Sequence, residues 1–129
     1  MTRTNDPAAL PRAATLRPVQ AAAVLSVLVL GWQFLTAGRL LGGADVLTGH
    51  GAGAVALHVS TGLLLVAAAL HGRATRTWWP AAVSAAVFAL TFVQAAIGSA
   101  GDMTVHVPLA LLLAVGIVWV TAWAFRPAG

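Results

Sequence analysis

Residues 52–70 read "AGAVALHVSTGLLLVAAAL", and how this run is read decides the fold. A helix that crosses a bilayer needs about 20 mostly apolar residues. The run is long enough, yet it holds a titratable ring, His58. Three further runs share its character, roughly residues 19–38, 78–98 and 104–125. The chain is 60% hydrophobic and 8% charged over 129 residues, more apolar surface than a soluble core of this size could hide. The expected fold is therefore all-α, an antiparallel bundle of four transmembrane helices. A polar segment, 1–18, leads into the membrane domain, 19–126, and a short tail, 127–129, follows it. The first span is followed only after its full length by Arg39, so it is expected to stay uncleaved.

Arginine sets the expected orientation, because loops facing the cytoplasm carry the excess of positive charge. Arg3, Arg12 and Arg17 precede the first span, Arg73 and Arg76 lie between the second and third, and Arg126 follows the fourth. All six fall on one side, with Arg39, Asp45 and Asp102 on the other, so both termini are expected in the cytoplasm of a bacterial inner membrane. The sequence pI of about 11.9 then reflects topology and contact with anionic lipid, not nucleic-acid binding. Trp78, Trp79, Trp119 and Trp123 supply an aromatic belt on the arginine side. Cysteine is absent, which excludes disulfides, thiolate metal sites and thiol redox chemistry.

The phrase around His58 returns at residues 104–114, "TVHVPLALLLA". Aligning 57–66 with 105–114 matches histidine, valine and three leucines. Each histidine also follows a helix with a glutamine near its end and a glycine soon after: Gln33 before Gly38, and Gln94 before Gly98. The pattern reads as a repeated two-helix hairpin. The connector at 39–52 is expected to be a long glycine-rich loop, with His50 solvated inside it, and His71 reads as a solvated residue at a helix end.

Polar residues inside membrane helices are costly, usually face the bundle interior and mark functional sites. In a bundle of two hairpins the second and fourth helices can lie diagonally opposite, which would aim His58 and His106 at a common axis. Haem iron accepts two neutral imidazoles as axial ligands. Counting 1.5 Å per residue from Arg73 and from the Trp119–Trp123 pair places the two histidines at similar depth. Gln33 and Gln94 are candidate acceptors or donors for the rings, and Arg39 is a candidate partner for a haem propionate. The same residues also fit a plain interhelical hydrogen-bond network. Residue types alone leave both readings open.

The stretches "WQFLTAGRLLGGADVLTGHGAGAVALHVSTGLLLVAAALHGR" and "FVQAAIGSAGDMTVHVPLALLLAVGIVWV" resemble a family of small four-helix integral membrane proteins of actinobacteria, a domain of unknown function. The resemblance runs from Val19 to Arg126 and implies a fold. More distantly, each hairpin is similar to the Gln, Gly, His hairpins of haem A synthase, which implies His58 and His106 as an axial pair. The chain lacks that enzyme's glutamate and extracellular cysteines, so the resemblance does not extend to haem oxidation. It is also similar to four-helix b-type membrane cytochromes. No histidine in the far half of the last helix could partner His71, so at most one b-type haem could be built.

Two function classes follow. One is a single-haem membrane protein for electron transfer, haem handling or redox sensing, with His58 and His106 as metal ligands. The other is a non-catalytic accessory or scaffold subunit, meeting a membrane protein partner or a second copy of itself. No catalytic set is expected. A proton-coupled transporter is a weaker third class, because no carboxylate lies within a span.

Overall fold

The structure, a computed structural model, describes residues 9–127. It is all-helical: α1 Ala9–Leu41, α2 Leu47–Thr75, α3 Trp79–Ser99 and α4 Met103–Ala124. All four are long and apolar enough to cross a membrane, and the chain is a small four-helix membrane bundle. The part of the expected polar leader at 1–8 lies outside the described residues, as do the last two residues of the tail.

Local chemistry sets the helix ends. Pro80 sits in the first turn of α3, where a missing N–H leaves no bond unmade. The Asp102 side chain accepts from the backbone N–H groups of Thr104 and Val105 and caps α4, meeting donors that have no partner inside the helix. α2 ends at Arg76, left-handed at φ 64°, whose N–H closes on the Gly72 carbonyl. Glycine usually fills this position. Several hydroxyls inside the bundle bond back along their own helix, as Ser26 does to Ala22, Thr61 to Leu57 and Thr121 to Ile117.

Two boundaries differ from the hydropathy reading, both because helix propagates past the apolar run. α1 begins by Ala9 rather than near residue 19, its alanines and leucines carrying the helix through the arginine-bearing stretch and past Pro18. α2 begins at Leu47 rather than near residue 52. The expected long loop at 39–52 therefore shrinks to residues 42–46, closed by Gly43 at φ 83°, and His50 belongs to a helix.

The helices pack in a ring, α1 on α2, α2 on α3, α3 on α4 and α4 on α1, while α2 and α4 face each other across the diagonal and meet only through side chains. One apolar cluster joins Val19, Ala23, Leu64, Val120 and Ala124. A second joins Leu30, Leu57, Val87, Leu113 and Ile117. Outside, large apolar side chains such as Leu28, Val55, Val66, Leu112 and Val115 are exposed, while Ser26, Ser60, Thr61, Ser84, Thr91 and Gln94 are buried. This distribution suits lipid, where helix association depends on close packing and polar contacts because the tails solvate leucine as well as a core does.

Candidate functional site

Beyond Leu30, Leu57 and Leu113 the apolar clusters stop, and polar groups gather at what we call the histidine end. His50 is the fourth residue of α2 and His106 the fourth of α4. Gln94 on α3 donates its side-chain N–H to the His106 carbonyl at 2.9 Å. The His106 ring meets the Gln94 main-chain carbonyl through Nδ1 at 3.1 Å. A carbonyl only accepts, so Nδ1 carries the proton. The ring lies so close to Gly98 that a Cβ there would come within 2.6 Å of it.

The α1–α2 pair carries a matching clasp. With its amide oriented to satisfy both atoms, Gln33 donates to the His50 carbonyl at 3.0 Å and accepts from the Ala54 N–H at 3.1 Å. His50 Nδ1 sits 2.9 Å from the Thr36 hydroxyl. That hydroxyl spends its proton on the carbonyls of Trp32 and Gln33, so it accepts from a protonated Nδ1. Gly53 makes room for the contact, since a Cβ there would meet the end of the Gln33 side-chain amide at 2.5 Å and Trp32 at 2.7 Å.

His58 stands eight residues further along α2 than His50, about 12 Å at 1.5 Å per residue. Its Nδ1 donates to the Ala54 carbonyl of its own helix at 2.6 Å. Its ring packs edge-on against Phe92 of α3, centroids 4.2 Å apart. Along α3, then, His58 is level with Phe92 and His106 with Gln94–Gly98, roughly one turn nearer the histidine end.

In all three imidazoles the proton is on Nδ1, which leaves the lone pair on Nε2. Among the described residues no hydrogen bond occupies Nε2 of His50, His58 or His106. A metal-ligating histidine normally has this second shell, its other N–H fixed by a carbonyl or similar acceptor. The buried Gln94 Oε1 has no partner among the described residues. Arg39 lies exposed in the last turn of α1. Among the described residues no group of three or more His, Cys, Asp or Glu side chains could hold a metal ion.

At the opposite end His71 is only 1% exposed, against the expectation of a solvated ring. Its Nδ1 is 3.0 Å from the Thr15 hydroxyl and its ring 5.5 Å from Trp123. The early start of α1 brings Thr15 over it. Trp79 packs on Trp119 and Trp123, so these rings hold helices together as well as marking a boundary.

Sequence reasoning missed His50, because the glycines around it suggested a loop. The signal that could have found it is the shared spacing "HGAGA" at 50–54 and "HVPLA" at 106–110, a histidine and an alanine one turn later, opposite a glutamine. No family model, curated protein or solved structure matches the chain.

Proposed function

We propose that this chain is a multi-pass protein of a bacterial inner membrane that holds one b-type haem between two histidines, one from α2 and one from α4, for electron transfer, haem handling or redox sensing. The observation that carries the reading is the common state of the histidines at one end of the bundle: each Nδ1–H is fixed and, among the described residues, no hydrogen bond takes Nε2. These donors fit the axial demand of haem iron, which takes two neutral imidazoles. The diagonal placement of α2 and α4 fits as well. When bound, the haem supplies one-electron chemistry; the chain supplies the ligands, their orientation and a low-dielectric surround. Arg39, exposed in the last turn of α1, is the side chain we assign to a propionate.

The same reading takes the helices as two antiparallel hairpins of related design, with both termini cytoplasmic and the histidine end on the far side. Support comes from the arginine distribution and from contacts that descend α1 as they climb α2, from Trp32–Gly49 to Thr15–His71.

The test is the absorption spectrum of protein purified in mild detergent from cells given a haem precursor, oxidised and then reduced with dithionite. A sharp Soret band with a narrow reduced α band is the expected result. Colourless protein that takes up no added haem overturns the reading. A second reading then stands, in which the chain is an accessory or scaffold subunit. It is favoured by the reciprocal Gln94–His106 clasp, which joins two helices without any cofactor. A partner membrane protein that copurifies in mild detergent is its expected signature.

A further inference from the structure

We infer that the α2 ligand partnering His106 is His50, not His58. The inference rests on the haem reading above and names the second ligand of that site.

Three observations point to it. First, His50 and His106 occupy one position in the two hairpins: each is the fourth residue of its helix, and each has its carbonyl held by a glutamine amide from the preceding helix, Gln33 at 3.0 Å and Gln94 at 2.9 Å. His58 has no such counterpart on α4, where the residue eight beyond His106 is Ala114. Second, both rings are oriented by a neighbouring helix, His50 through Thr36 on α1 and His106 through the Gln94 carbonyl on α3. His58 is tied to its own helix, and its ring is taken up by the edge of Phe92. Third, His50 and His106 open the two helices that face each other diagonally across the ring, at the same end of the bundle. Two imidazoles at one end of diagonal helices, each with its Nδ1–H already spent, are a pair that one iron could join.

Thr36 becomes a positioning residue. By accepting the His50 Nδ1–H it raises the donor strength of Nε2 and holds the ring plane. With haem held there, loss of that acceptor would weaken the His50 ligand and raise the midpoint potential.

The experiment compares haem-loaded wild type with His50→Ala, His58→Ala and His106→Ala in detergent, each checked by size exclusion. His50→Ala and His106→Ala are expected to lose the low-spin reduced α band and regain it on adding imidazole; rescue also shows that the fold survived. His58→Ala is expected to keep a low-spin spectrum. Thr36→Val, which leaves every imidazole in place, should raise the midpoint potential, while Thr61→Val should not. A low-spin His50→Ala protein beside a high-spin His58→Ala protein overturns this inference and leaves the haem reading intact. An unchanged potential in Thr36→Val also overturns it. Wild type that binds no haem defeats the haem reading, and the inference with it.

Discussion

Gln94 and His106 are bonded twice: the glutamine side chain donates to the histidine carbonyl at 2.9 Å while the histidine ring donates to the glutamine carbonyl at 3.1 Å. Each side chain thus grips the other's backbone, which fixes both the rotation and the height of α4 on α3. An interhelical polar contact in a membrane is worth about 0.6 to 2 kcal/mol. Gln94→Ala should therefore lower unfolding free energy in detergent by about 1 kcal/mol. Gln33→Ala should cost a similar amount, and the double variant should show their sum, since the two clasps sit on separate helix pairs. Denaturant titration followed by circular dichroism measures all three; strong non-additivity would mean the clasps form a single network.

Close approach at Gly98 leads to a second expectation. An added methyl would come within 2.6 Å of the His106 ring, and overpacking of this kind costs about 1 to 3 kcal/mol. Gly98→Ala should destabilise the bundle by that order. Gly31→Ala and Gly38→Ala, which meet nothing within 4 Å, should be neutral or slightly stabilising because alanine is the better helix former. Thermal unfolding of the three variants in one detergent tests the contrast.

Arg76 holds the left-handed end of α2 at φ 64° without being a glycine. An L-residue pays about 1 kcal/mol for that conformation. Arg76→Gly should raise stability by roughly 0.5 to 1 kcal/mol, whereas Arg76→Lys, with the same backbone demand, should change nothing. A drop in midpoint temperature for Arg76→Gly would show that the side chain contributes more than the backbone costs.

The cap of α4 should make stability depend on pH in one direction. The Thr104 hydroxyl, then the backbone N–H groups of Val105 and Thr104, hold the Asp102 carboxyl below its ordinary range. A group whose folded pKa is depressed contributes stability above its unfolded pKa and loses it as pH falls through the folded value. Stability should therefore decline as the pH drops below about 4. Asp102→Asn keeps a capping oxygen and should flatten that part of the profile.

The absence of cysteine from the chain makes topology directly testable. Ala74→Cys and Ala100→Cys place single thiols at exposed positions near opposite ends of the helices. In intact spheroplasts a membrane-impermeant maleimide should label the thiol at 100 and reach the one at 74 only after lysis. The reverse pattern would invert the proposed orientation.

The sequence by itself determined the four spans, the clustering of arginine at one end and the polar residues worth watching. Those properties are local: a run of some twenty apolar residues with Gln33, Gln94, His58 or His106 near its ends is visible without knowing what lies beside it. Only the tertiary structure decided where α1 and α2 begin, which buried His71 under Thr15 and moved His50 from a supposed loop into a helix. It also decided which histidine answers which glutamine. Aligned leucines paired His58 with His106, whereas the Gln33 and Gln94 clasps pair His50 with His106. The physical reason is that leucines recur cheaply in any membrane helix and carry no register. A buried amide must find its partners at a definite height and rotation, and those are set by how the helices pack.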